Sequence, residues 1–363
     1  MNSPDDKQAA AFRDRIPSRR QALQLLTAGA VGLSFGSRHA RSQDAESRTT
    51  PKPFDPALLD RAVEDARKFD QIHSLTIARA GEIAFAEAFR GPALDRPVNV
   101  KSVSKSFVAA LTAAAIERSV LSGVDQRLAD AAPSLIPANA DPKVRGLTIA
   151  QFLTMQAGLK RTSGPNYGEW VKSRNWVAYA LAQPFVAEPG ERMLYSTGSY
   201  HVLGAILARA SGKSLLKLAR EWIGEELDIT IPPWARDPQG FYFGGNNMRL
   251  SPMAMLRFGE MHRLGGLWNG RQILRSDWIE KAWEPRTRSP FSGDAYGYGW
   301  FISEAGGRKF VYARGYGGQM IYIVPSLELT VVITSDPTRP ARSHGYAGQL
   351  RNLLTQEIIP AAV

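Results

Sequence analysis

The sequence predicts an α+β fold: an antiparallel sheet built from both chain ends, flanked by helices, with a mainly helical lobe inserted between them. Two observations carry this. β-rich runs bounded by turn residues lie near the start, at 74–80 and 83–89, and return late, at 310–313, 319–324 and 329–334. Between them, over 106–235, helical apolar spacing alternates with loops. Strands at both ends around a helical middle fit a single sheet closed by the two termini of one domain.

Taken in order, residues 43–53 are rich in Ser, Thr, Pro and charge and read as a linker. Helical spacing over 56–69 places Leu58, Leu59, Ala62 and Ala66 on a buried face. A Gly81-Glu82 turn joins the first two strands as a hairpin. The chain then enters a long Ala-rich helix beyond Ser102. Further helical spacing appears at 147–155 and 201–210, with a loop at 163–168 and a closing helix over 348–359. The domain proper is expected over 54–363, its α/β lobe from 54–105 and 236–363 and its helical lobe from 106–235.

Residues 1–42 differ in kind. Ser18-Arg19-Arg20 leads into a mostly apolar stretch of about fifteen residues, too short to span a bilayer. Small residues follow at Ala40 and Ser42. The arrangement resembles a twin-arginine export signal and predicts a periplasmic or exported protein with no membrane anchor after cleavage. The formal charge is +11, from 45 basic and 34 acidic residues, of which the first 42 residues contribute +4. The surplus is scattered, with no basic run in the body of the chain, which gives no case for nucleic-acid binding. Cysteine is absent, so disulfides, thiolate metal sites and a cysteine nucleophile are excluded.

The most informative stretch is Asn99-Val100-Lys101-Ser102-Val103-Ser104-Lys105-Ser106-Phe107. Positions i and i+3 share a helix face, so Ser102 and Lys105 can meet at a helix N-terminus. A serine hydroxyl is a weak nucleophile until a base takes its proton. A lysine near pKa 10.4 can serve only if burial or a neighbouring cation lowers that value by about two units or more, at about 1.36 kcal/mol each. Alternatively the charged lysine lowers the pKa of a phenol, which then acts as base. Tyr195 is a candidate phenol, on a loop between the Pro189-Gly190 turn and the following helix. The third element is Ala313-Arg314-Gly315-Tyr316-Gly317-Gly318-Gln319, where glycines allow a strand to approach a substrate closely. Arg314 offers a partner for a carboxylate or polar group. A second Ser-x-x-Lys, Ser214-Leu215-Leu216-Lys217, follows the tyrosine and reads as an ordinary amphipathic helix.

These three elements, in this order, resemble the penicillin-recognising serine enzymes: class C β-lactamases, DD-peptidases, family VIII esterases and 6-aminohexanoate-oligomer hydrolases. Ser102 to Lys105 is similar to their Ser-x-x-Lys, Tyr195 to the tyrosine of Tyr-x-Asn, and Gly315 to the glycine of Lys/His-Thr-Gly. Supporting segments, 153–159, 204–213 and 296–300, also look alike. The resemblance implies the β-lactamase/transpeptidase-like fold, no metal or organic cofactor, and a small ester, amide or β-lactam substrate. It implies Ser102, Lys105 and Tyr195 as catalytic residues, with the N–H groups of Ser102 and Tyr316 as oxyanion donors. Gly315, Arg314, Thr197 and Gly317 fall at its substrate-binding positions. Thr197 stands where the family often has asparagine, and Ala313-Arg314 where it has Lys/His-Thr. Both changes favour ester or linear-amide hydrolysis; with the export signal, the reading is an exported esterase or amidase working through a Ser102 acyl-enzyme. A true β-lactamase or DD-peptidase is the alternative, as is a non-catalytic penicillin-binding-like sensor.

A Ser-His-Asp hydrolase of another fold finds little support. The Gly-x-Ser-x-Gly at Gly32 to Gly36 lies inside the export signal, and His73, His201, His262 and His344 are scattered without metal-ligand spacing. Ser173-Arg174-Asn175 imitates a Ser-x-Asn motif, but in a loop-like region. Trp170, Trp176, Tyr242 and Trp300 are read as core, with a substrate cleft as the rival location.

Overall fold

A computed structural model of the chain describes residues 53–340 and 345–363. The expected export signal, nearly all of the linker, and His344 lie outside the described residues. Helix α1 (Pro56–Lys68) begins where the sequence offers start signals: the Asp55 side chain accepts the Leu58 N–H, and proline occupies the first turn. Its buried positions are Ala62, Val63 and Ala66, while Leu58 and Leu59 are only half-buried.

The central sheet has eight strands in the order β2-β1-β12-β11-β10-β9-β8-β7. They are β1 (Ile72–Arg79), β2 (Glu82–Ala88), β7 (Thr287–Arg288), β8 (Ala295–Tyr296), β9 (Phe301–Ala305), β10 (Arg308–Gly315), β11 (Gln319–Val324) and β12 (Leu329–Ser335). All neighbouring pairs whose registers are resolved run antiparallel. The two chain ends meet where β1 pairs β12, Leu75 opposite Ile333 and Ile77 opposite Val331. The hairpin turn falls on Ala80 and Gly81, both at positive φ, one residue earlier than expected. Strands β7 to β9 are short and were not foreseen, because segments of two to five residues carry too few alternations to register. Two small ribbons complete the strands among the described residues: β3 (Val98–Asn99) with β4 (Arg249–Leu250), and β5 (Leu267–Trp268) with β6 (Arg271–Gln272).

Helices cover both faces. Helix α2 (Ser104–Glu117) is buried from Ser104 to Ala115, as expected for a helix apolar on every side. Helix α3 (Thr197–Ser211) lies beside it and encloses the expected 201–210 run. Helix α4 (Pro252–Arg263) lies on one sheet face, where a Cβ on Gly259 would meet Thr330 and Ile321. On the other face α5 (Tyr346–Asn352) continues into a wide π-type turn (Leu353–Ile358), so the closing helix is not uniformly α. Tyr346 from α5 bonds Ser335 and packs edge-on against Phe69. The helix expected over 147–155 is shorter, Ile149–Leu153, held by a Thr148/Gln151 capping box and ended by Met155 at positive φ. The expected loop at 163–168 is a tight turn (Gly164–Asn166) that runs into a short helix (Tyr167–Lys172).

Candidate active site

The site begins at a strained turn. Lys101 holds φ +49°, which costs a non-glycine residue about 1–2 kcal/mol. Its N–H donates to Asn99 Oδ1 at 2.9 Å, and its carbonyl accepts from Ser104 Oγ. The turn is thus pinned from both sides, and Ser102 stands in a short 3₁₀ segment (Lys101–Val103) at the mouth of α2.

Lys105, one turn on, is buried to 2% exposure, and its Nζ lies 2.8 Å from Ser102 Oγ. The amine also donates to the Gly245 carbonyl at 2.5 Å and reaches Thr197 Oγ1 at 3.4 Å. No carboxylate is among these partners. Burial among neutral oxygens pushes the amine from 10.5 down to about 7. The neutral amine, the form able to accept a proton, is therefore accessible near neutral pH.

Tyr195 is brought to the same place, with Lys105 Nζ 5.1 Å from its ring centre. Burial raises its phenol pKa, against a hydrogen bond with Ser102 and the positive charge of Arg314, so the phenol keeps its proton at neutral pH. Thr197 opens α3, and its Oγ1 meets Ser163 Oγ at 2.9 Å, extending a chain of hydroxyls from Lys105. Ser163 Oγ also accepts the Thr197 N–H at 2.8 Å. The Thr197 side chain is thus committed inward.

The end of β10 abuts the turn that carries Ser102. A Cβ on Gly315 would lie 2.4 Å from the Val100 carbonyl, so only glycine lets the strand come this close. Tyr316 follows at the tip, about half exposed. Arg314 pairs with Met320, and strand alternation sends its side chain to the face opposite that of Ala313. Its charge still lowers the phenol pKa of Tyr195. Gly317 has a scaffold role: its carbonyl accepts from Gln71, and a Cβ there would strike the Asp336 carbonyl.

Other candidates separate from the site. Ser214 caps a short helix (Leu215–Ala219) by accepting the Lys217 N–H, and Lys217 pairs with Glu221. Ser173 ends one helix, and Asn175 caps the next by accepting the Ala178 N–H, so the Ser-x-Asn imitation is a pair of helix ends. Trp170, Trp176, Tyr242 and Trp300 are buried; Trp170 and Trp176 form an aromatic cluster with His201 and Phe243. His201 is held by Asp237 at 2.9 Å, and His262 bonds the Phe258 carbonyl.

Sequence reasoning missed the strap at 244–248. Gly244 and Gly245 cross the first turns of α3 so closely that a Cβ would lie 2.4 Å from the Tyr200 carbonyl and 2.6 Å from that of Thr197. Asn247 then bonds Asn99 at 3.0 Å, and Met248 N–H donates to Ser104 Oγ at 3.1 Å. One segment therefore supplies the carbonyl that holds Lys105 and braces the turn that carries Ser102. The adjacent glycine pair was the available signal.

The fold is shared with solved structures of low identity. A class C β-lactamase from Rhodobacter sphaeroides superposes with a TM-score of 0.61 at 17% identity, covering 84% of this chain and 98% of that one. EstCE1, a hydrolase with promiscuous acyltransferase activity, gives 0.67 at 19% identity, over 82% and 98%. The octameric penicillin-binding protein homologue from Pyrococcus abyssi gives 0.65 at 22%, over 83% and 77%. The family model described as Beta-lactamase matches residues 60–356, most of the chain, and with it the protein is a member of the Beta-lactamase family.

Proposed function

We propose that the protein is an exported serine hydrolase that cleaves an ester or amide bond of a small molecule through a Ser102 acyl-enzyme. The observation that carries this is the 2.8 Å contact between Ser102 Oγ and the fully buried Lys105 amine, whose pKa lies near 7. In this reading neutral Lys105 takes the Ser102 proton as Oγ attacks the carbonyl carbon. The N–H groups of Ser102 and Tyr316 receive the developing oxyanion, each worth about 10²- to 10³-fold. Collapse of the tetrahedral intermediate breaks the bond to the leaving group, which takes a proton from the Tyr195 phenol. The Lys105 ammonium, beside the Tyr195 ring, returns its proton to the phenolate. Water then attacks the acyl carbon in the reverse sequence, giving its proton to the Lys105/Tyr195 pair as the acid leaves and Ser102 Oγ regains its hydrogen. Tyr195 suits the acid role because its phenol stays protonated, and Lys105 suits the base role because it titrates near neutrality. The inward commitment of Thr197 and the replacement of Lys/His-Thr by Ala313-Arg314 favour esters and linear amides over β-lactams.

Intact mass of the wild type and of Ser102→Ala, after exposure to an activated ester and separately to a β-lactam, tests the proposal. An adduct on the wild type alone, with turnover of the ester, is expected. Turnover of the ester by Ser102→Ala, or no adduct and no turnover with either reagent, refutes it. A stable adduct without product release would point instead to a sensor. Export is tested by fractionation of cells carrying the full chain and an Arg19→Lys/Arg20→Lys variant, which is expected to stay inside.

A further inference from the structure

Beside Tyr195 lies a cavity of about 610 Å³, within the range of small-molecule sites. One wall is the 191–195 segment; the other is edge strand β7 and the loop after it, to Phe291. Four arginines line it: Arg161, Arg192, Arg286 and Arg288. Two are balanced, Arg192 by Glu191 at 3.7 Å and Arg286 by Glu284 at 2.7 Å. Arg161 and Arg288 have no carboxylate partner among the described residues. Arg288 donates to the Gly293 carbonyl, and Arg161 lies 5.2 Å over the Phe291 ring.

The placement of Arg161 is built in. The next residue, Thr162, donates its N–H to Ser196 Oγ at 3.1 Å, and Ser196 directly follows Tyr195. The arginine is therefore held in register with the phenol, and its contact with Phe291 links the two walls. Uncompensated guanidiniums gathered in one concavity repel each other and lower their energy when an anion enters. Arginine is also the side chain suited to bidentate capture of a carboxylate. Met193, Leu194, Pro290 and Phe291 add apolar wall, so the cavity fits a group with an apolar body and an anionic end.

We propose that this cavity is a substrate subsite for a negatively charged group, so that the hydrolase prefers esters or amides carrying a carboxylate on a short apolar chain. This rests on the Ser102 reading above, with Arg161 and Arg288 as the specificity-determining residues.

The test uses two matched ester series, one varying the acyl end and one the alcohol end, each with carboxylate, neutral isostere and quaternary ammonium members. We expect kcat/KM in at least one series to favour the carboxylate over its neutral isostere by about tenfold or more. Added salt should shrink that preference, and the double variant Arg161→Gln/Arg288→Gln should abolish it while leaving the neutral ester unchanged. Equal rates across charge in both series would overturn the subsite, as would a preference that survives the double variant. Equal loss on neutral and charged esters, with an unchanged melting temperature, would overturn it too. Calorimetric binding of the carboxylate ester to Ser102→Ala separates the two proposals: charge-selective, salt-sensitive binding supports the subsite even if the serine mechanism fails.

Discussion

Replacing Lys105 with methionine should change stability in a way that depends on pH. The substitution keeps most of the buried stem and removes the amine. In the folded protein that amine titrates near 7 rather than at the ordinary lysine value of 10.5. The folded state therefore binds fewer protons than the unfolded state between these values, and native stability rises with pH across that window. The penalty for burying Lys105 is full below pH 7, at about 5 kcal/mol, and fades as pH approaches 10.5. Between pH 6 and pH 9 the wild type should gain roughly 2 to 3 kcal/mol relative to Lys105→Met. The hydrogen bonds lost at Ser102 and Gly245 cost the variant a roughly pH-independent amount, so they cancel from this difference. Urea unfolding of both proteins at pH 6, 7.5 and 9 measures it. Wild-type kcat/KM should rise tenfold per pH unit below about 7 and level above it, while the variant is inactive. A stability gap that stays constant from pH 6 to 9 would refute the lowered pKa and with it Lys105 as base.

Two further outcomes follow from the geometry. Gly315→Ala puts a methyl group 2.4 Å from the Val100 carbonyl and must push β10 away from the Ser102 turn; kcat should fall about tenfold or more while circular dichroism stays native, and an unchanged kcat would separate β10 from the site. Ser214→Ala removes a helix cap and should cost about 1 kcal/mol in urea unfolding with no loss of turnover; a loss of activity at unchanged stability would give the second Ser-x-x-Lys a role it lacks here.

The sequence alone determined what depends on neighbours along the chain. Hairpin alternation, the helical spacing of α1, and the Ser102–Lys105 spacing are local, and each appears close to its expected place. The order of the three motifs also sufficed to indicate the family, because each motif fixes a residue type at a fixed offset. The second Ser-x-x-Lys shows the limit of spacing, since Ser214 meets the Lys217 backbone rather than its amine. What distinguishes Lys105 is its surroundings: burial, the carbonyl of Gly245 and the hydroxyl of Thr197 come from residues 92 to 140 positions away. Burial by these distant segments lowers its pKa, and no local pattern encodes it. The Gly244-Gly245 strap has its meaning only where it crosses α3, and the arginine cavity exists only because an edge strand and two loops converge beside Tyr195. Proton affinity and substrate charge preference are fields summed over groups brought together by folding, so the tertiary structure decided them.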